Sequence, residues 1–188
     1  MPHFVVLAHD APTDADFSLD TLTRGRLDLL ARSVNAALLT SHGVREDTTA
    51  SLVLQGEATI QFHGDRIGGL NPDERSIGGV LRKALQRLDG RGALPDGVRV
   101  TTQGHGPLLA GAEELVQLDG DGAPITTVEP SPAAMFVLSD HRPFTDEDEA
   151  ELGRHDATRA SLGPEPIHTD HAIAAVHNYL DTEGYATY

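Results

Sequence analysis

The chain has 188 residues, with 29 acidic against 14 basic side chains for a formal charge of -15, 39% hydrophobic residues and no cysteine. That length supports one globular domain with a real core, and the missing cysteine excludes disulfides and thiolate metal sites. No stretch approaches the roughly 20 apolar residues of a membrane helix, and Met1-Pro2-His3 lacks the basic start of a signal peptide, so a soluble cytoplasmic protein is expected.

Pro2 to Ala8 (PHFVVLA) is a short apolar run with β-branched residues, predicting a buried first strand. A polar loop follows from Asp10 to Asp20. From Thr23, the spacing of Leu27, Leu30, Val34, Ala37 and Leu38 predicts a helix, with Gly43 placed to stop it. Ala50 to Leu54 and Ala58 to Phe62 predict two strands joined by Gln55-Gly56-Glu57. A loop through Gly68 and Gly69 then leads into a helix from about Ile77 to Leu88, capped by Ser76.

Val98 to Thr102 predicts a strand, and Gly104-His105-Gly106-Pro107 opens a short helix to Val116. Asp119-Gly120-Asp121-Gly122 is a turn signal. Ala133 to Leu138 is a buried strand running straight into polar Ser139-Asp140-His141. Thr145 caps an acidic helix to Gly153, with Glu147 and Asp148 in its first turn. Thr158 to Leu162 is a last strand and Asp170 to Leu180 a closing helix, Asp170 as its cap. The alternation predicts an α/β fold with a mostly parallel sheet and helices on both faces.

The acidity has two readings, a disordered chain or adaptation to molar salt. Periodic apolar segments throughout favour the second, since at about 1 M salt the Debye length shrinks to roughly 3 Å and self-repulsion is screened. Most of the 14 basic residues lie at or before Arg99, including Arg75, Arg82 and Lys83, which is the pattern of a polyanion footprint.

Ligands of open α/β sheets bind beyond the carboxyl ends of the strands. Thr102 to Gly106, Ser139 to His141 and Ser161 to Pro166 leave strands there and are candidate walls of one pocket. Neither common phosphate-gripping glycine loop occurs. His168-Thr169-Asp170-His171, with His177 beyond, holds metal-ligand residue types in a spacing that is not a zinc signature. The same residues suit a helix entry lining a ligand pocket, or a purely structural turn. In Asn71-Pro72-Asp73-Glu74-Arg75-Ser76, the arginine opposes a helix dipole that prefers anions; a phosphate or base bound there resolves the conflict.

Leu70 to Ser76 (LNPDERS), Phe136 to His141 (FVLSDH), Ser161 to Pro164 (SLGP) and His168 to Asp181 (HTDHAIAAVHNYLD) together resemble the archaeal tRNA pseudouridine-54 N1-methyltransferases of the knotted SPOUT class. The resemblance spans nearly the whole chain. It implies a single domain over 1–188, its N-terminal half facing substrate and about 98–188 forming a C-terminal trefoil knot, one of the rare exceptions to unthreaded topology. It further implies S-adenosyl-L-methionine held by Leu138, Ser139, Leu162, Gly163, Pro164 and Ile167, with Ser139 standing where a glycine is usual. A homodimer on a tRNA substrate follows from it, without metal or membrane. Ile173, Val176, Tyr179 and Leu180 suit the dimer interface or an intramolecular core equally. Methylation at a pseudouridine N1 needs a proton acceptor, for which Asp73 is the candidate, and a nucleotide grip, for which Arg75 is. The alternatives are ribosomal RNA as substrate, a metal-dependent hydrolase built on His168, Asp170 and His171, or a non-catalytic RNA-binding module.

Overall fold

The computed structural model describes residues 1–188. Strands β1 (His3–Ala8), β2 (Thr49–Leu54), β3 (Ala58–His63), β4 (Val98–Thr101), β5 (Leu115–Pro124), β6 (Met135–Ser139) and β7 (Thr158–Ser161) form one sheet. Their order is β4-β3-β2-β1-β6-β5-β7. β3 runs antiparallel to both of its neighbours, and the pairs β1–β2, β1–β6, β5–β6 and β5–β7 are parallel. The expected mostly parallel α/β sheet is observed.

β1 lies at the centre and is buried on both faces, which is why it reads as an unbroken apolar run. Phe4, Val6 and Ala8 join a large core with helices α1 (Leu27–Leu38), α2 (Glu74–Leu88) and α6 (Thr169–Asp181). Val5 and Leu7 point to a smaller core, completed by Leu109 of α3 (His105–Leu109) and Leu152 of α5 (Asp146–Arg154). A short helix, α4 (Ile125–Val128), links β5 towards β6. Helices therefore cover both faces. Ile173, Val176 and Tyr179 are at most 5% exposed and lie within the chain's own core, so their intramolecular reading is the observed one.

Several boundaries differ from expectation for local reasons. The first helix does not run from Thr23. A 3-10 turn (Arg24–Arg26) precedes it, and Gly25 and Arg26 take left-handed φ of 66° and 55°. A side chain at Gly25 would stand 2.8 Å from the Asp10 carbonyl, so the kink seats this turn against the loop after β1. α2 starts at Glu74, and its N-cap is Asp73, not Ser76: the Asp73 carboxylate accepts from the Ser76 amide at 2.7 Å. α6 starts at Thr169 with His168 as N-cap, so Asp170 sits inside the first turn rather than capping it. α5 is as expected, with Thr145 and Asp148 forming a reciprocal capping box.

The largest miss is β5. The helix expected to reach Val116 ends at Leu109, and Leu115–Pro124 is a strand that contains Asp119-Gly120-Asp121-Gly122. The turn signal marks an irregularity within the strand: the register against β7 shifts between Leu118 and Ala123. Gly122 passes so close to β7 that a Cβ would meet Ala160 backbone atoms at 2.7 Å, which only glycine allows.

At the opposite end of the sheet, His3 is hydrogen-bonded to Ser51 Oγ at 2.7 Å. Burial, aided by the charge of His63, pushes its pKa down to about 4. The unfolded chain then binds a proton that the folded chain refuses between the ordinary histidine value and about 4, so stability falls with pH across that window. Urea titrations at pH 7 and pH 5 are expected to show this loss, and His3→Gln to shrink the difference between the two.

Candidate active site

β6 and β7 flank β5 in the sheet, and the loops leaving them enclose a cleft of about 520 Å³. Its walls include Leu138 and Ser139 at the end of β6, and Leu162, Gly163, Pro164 and Ile167 after β7. All six residues expected to hold the methyl donor therefore converge. Thr169 at the start of α6 closes the junction by donating from Oγ1 to the Ser139 carbonyl at 2.9 Å. The Ser139 hydroxyl donates in turn to the Arg142 carbonyl at 2.5 Å, folding the loop after β6 back on itself.

The cleft suits S-adenosylmethionine. Its volume is within the roughly 300–1,000 Å³ of ordinary ligand sites, and Leu138, Leu162, Ile167, Phe144 and Ala172 supply apolar surface for a nucleoside. No backbone group of residues 162–167 bonds to another backbone group, and apart from Gly163, whose amide and carbonyl are met by the Ser161 hydroxyl, the loop's amides and carbonyls are open to a ligand. Ile167, 48% exposed, stands at the rim as one of the few large apolar side chains in solvent.

Asp73 and Arg75 lie elsewhere. They line a second cleft, of about 690 Å³, together with Arg82, Lys83 and the loop from Ile67 to Leu70. The two clefts share no lining residue. The dipole conflict at Arg75 is relieved within the chain by an ion pair with Asp20. Asp73 is exposed and caps α2 through Oδ1.

Arg32 connects the two regions. Its guanidinium reaches Asp28 at 3.1 Å and Glu74, the first residue of α2, at 3.2 Å. It also reaches Asp170 in the first turn of α6 at 3.2 Å. Burial alone would raise the Asp28 carboxyl, but bonds from Arg26 and Arg32 hold it below the ordinary range. The second oxygen of Asp170 is buried without a partner. Sequence reasoning missed Arg32, because a lone arginine on a helix carries no signal of the three carboxylates it will meet.

The His168 cluster does not assemble a metal centre. His168 and His171 are exposed, Asp170 is held by Arg32, and His177 is buried, hydrogen-bonded to the Ala37 carbonyl at 2.9 Å beside the ring of Phe4. No group of three or more histidine or acidic side chains in the chain is arranged to hold a metal ion. The hydrolase reading loses its ligand set. The third expected wall, Thr102 to Gly106, also departs from expectation: Gly104, His105 and Gly106 line a separate cleft of about 550 Å³ with His9 and Asp148.

A family described as "Putative SAM-dependent RNA methyltransferase" matches residues 1–185. The chain is 46% identical to the tRNA (pseudouridine(54)-N(1))-methyltransferases of Haloferax volcanii and Haloarcula marismortui, with all of each chain covered. It is 40% identical to that of Methanocella arvoryzae, over 94% of this chain and 96% of the relative. Among solved structures, Archaeoglobus fulgidus Nep1 bound to S-adenosylhomocysteine superimposes with a TM-score of 0.71 at 14% identity, covering 98% of both chains, a likeness of fold. Relatives from halophilic archaea also accord with the excess of 29 acidic over 14 basic residues. The full-length family match and these relatives together place the chain in the family of archaeal S-adenosylmethionine-dependent tRNA (pseudouridine(54)-N(1))-methyltransferases.

Proposed function

We propose that this protein methylates N1 of pseudouridine 54 in tRNA, with S-adenosylmethionine as donor. The observation that carries the reading is the convergence of Leu138, Ser139, Leu162, Gly163, Pro164 and Ile167 on one cleft, in a chain whose full-length relatives bear that activity in their names. The donor supplies an electrophilic methyl on a sulfonium. The chain's own task is to hold it by backbone groups of the 162–167 loop and the end of β6, and to present the acceptor nitrogen in line, an arrangement able to supply several kcal/mol.

Acceptor binding falls to the cleft beside α2. Arg75, Arg82 and Lys83 give it positive charge on an otherwise acidic chain, suited to a phosphodiester backbone. Asp73 takes the N1 proton through the carboxylate oxygen its cap does not use, and Arg75 grips the nucleotide. Because the two clefts are distinct in one chain, the substrate nucleotide bridges them across a homodimer, one subunit giving the donor and its partner the α2 cleft. In this reading the cofactor half, about 98–188, is threaded as a trefoil knot.

The test uses purified protein, labelled S-adenosylmethionine and tRNA transcripts carrying either pseudouridine or uridine at position 54. Label recovered as N1-methylpseudouridine from the first transcript alone supports the assignment. Label in a ribosomal RNA helix carrying pseudouridine, with none in tRNA, moves the substrate to the ribosome and leaves the chemistry intact.

A further inference from the structure

His9 is the first residue after β1, and Asp140 the first after β6. These neighbouring strands belong to different halves of the chain: β1 pairs on its other side with β2, and β6 with β5. Their loops part here, and this switch point is where open α/β sheets form ligand crevices. His9 fills the point. Its amide donates to Asp140 Oδ2 at 2.9 Å, its Nδ1 lies 3.1 Å from Asp140 Oδ1, and its Nε2 lies 2.8 Å from Asp148 Oδ2.

Both acids are enclosed, their side chains 1% and 8% exposed. An ionised carboxylate only accepts hydrogen bonds, so both ring nitrogens must donate, and the ring is held as imidazolium. Burial works against that charge, but the bonds the ring donates to Asp148 and Asp140 outweigh it and keep the His9 pKa above the ordinary histidine value.

The two acids anchor the loop between β6 and α5 at both ends. Asp140 Oδ1 accepts from the Arg142 amide at 2.9 Å. Asp148 Oδ2 accepts from the Thr145 amide at 2.8 Å and from its hydroxyl at 2.7 Å. Between these anchors, Arg142, Pro143 and Phe144 form a wall of the 520 Å³ donor cleft. Residues 131 and 139 positions from His9 are thus tied to one ring.

We infer that His9 is a positioning residue for the methyl donor: its doubly bonded ring clamps the Ser139 to Thr145 loop in the shape that closes one side of the cleft. This rests on the cleft being the donor site. When the ring loses its second proton, one nitrogen presents a lone pair to a carboxylate, the clamp opens on that side, and donor affinity falls. The direction is a weakening as pH rises through the raised His9 pKa. The other charged groups nearby are His105 of α3, 4.0 Å from Asp148 Oδ1, and Glu147, Glu151 and Arg154 of α5 around the same opening. Behind Asp140 stand His141, 3.5 Å from its Oδ2 and 3.3 Å from Asp10, and Arg142, 2.6 Å from Asp10. Burial lowers the pKa of His105, the direction opposite to that of His9.

Linkage makes the test reciprocal: if the protonated clamp favours the donor, bound donor must raise the His9 pKa by the same factor. Ring nitrogen and proton resonances of the wild-type protein are followed against pH, free and saturated with S-adenosylhomocysteine, while calorimetry gives its Kd at the same pH values. The His9 signal is identified by its absence in His9→Gln. The expected result is a midpoint that moves upward on saturation, with a Kd that weakens roughly fivefold to tenfold across the transition. In His9→Gln, affinity is reduced at low pH and flat. An unchanged midpoint with a pH-independent wild-type Kd overturns the clamp and leaves the donor site standing. No binding at any pH by folded protein removes the donor site and the clamp together. Because the wild-type coupling needs no variant, a poorly folding His9→Gln does not blunt the result; through-bond correlations then supply the assignment.

Discussion

Asp73→Asn is expected to lower methyl-transfer turnover by about two orders of magnitude, the range found for a positioned general base, while leaving S-adenosylmethionine affinity unchanged. The substitution isolates the chemistry because asparagine is as good an N-cap as aspartate. The Ser76 amide, 2.7 Å from Asp73 Oδ1 in the wild type, keeps an acceptor, so α2 starts in the same place. What disappears is the capacity to take a proton. A factor of 100 is roughly 2.7 kcal/mol of transition-state stabilisation. Asp73→Ala removes the cap as well, and adds a stability loss of about 1 kcal/mol to the same kinetic defect. Single-turnover rates with pseudouridine-54 tRNA, beside calorimetry with the donor alone, separate these effects. Wild-type turnover in Asp73→Asn would take Asp73 out of the proton-transfer role.

Arg32→Met is expected to destabilise the protein by about 3 kcal/mol, the lower end of the range for removing one partner of a buried ion pair. The lower end applies because the Arg32 side chain is 33% exposed. Two of its partners are not: Asp28 and Asp170 are 7% and 8% exposed. Asp28 keeps Arg26 at 3.1 Å, but Asp170 is left with His171 at 3.9 Å and an oxygen already without a partner. Most of the cost is therefore an uncompensated Asp170 charge. Arg32→Met with Asp170→Asn is predicted to recover part of the loss, since the pair matters less than its half-removal. High salt will not mask the effect as it does for exposed pairs such as Arg91–Asp89, because buried pairs are screened far less. Urea unfolding of the wild type and the two variants gives the comparison; a loss within about 0.5 kcal/mol for Arg32→Met, as at an ordinary surface position, contradicts it.

Arg32 also explains how two separate clefts keep a defined relation. One guanidinium touches the first turn of α2, which carries Asp73 and Arg75, and the first turn of α6, whose Thr169 holds the end of β6. The cleft beside α2 and the cleft at the ends of β6 and β7 are joined through one side chain on α1.

The fold was legible in the sequence where local chemistry and tertiary role agree. β1 is an apolar run because it is buried on both faces, β2 and β3 meet at a glycine turn, and α5 begins at its own capping box. It was illegible where a local signal served another purpose. Asp119-Gly120-Asp121-Gly122 has turn chemistry inside a strand, because Gly122 must pass against the backbone of Ala160. Ser76 resembled a cap, and Asp73, three residues earlier, took the position.

The site divides in the same way. Leu138, Ser139 and the Ser161 to Pro164 loop stand out as polar exits from apolar strands, so their convergence was within reach of pattern and resemblance. The ring of His9 between Asp140 and Asp148 was not. Those carboxylates are brought to it by the β1–β6 pairing and by the start of α5, across more than 130 positions of chain. Single charged residues gain meaning only when the sheet order is known.

The most direct test of the donor cleft is calorimetric titration of S-adenosylmethionine into the purified protein in about 2 M KCl, where surface repulsion is screened. Saturable binding of one donor per subunit, weakened when Gly163 is replaced by a bulkier residue in the open space above the loop, is the predicted result. Absence of heat and of binding in protein that unfolds cooperatively would contradict the assignment of the β6–β7 cleft to the methyl donor.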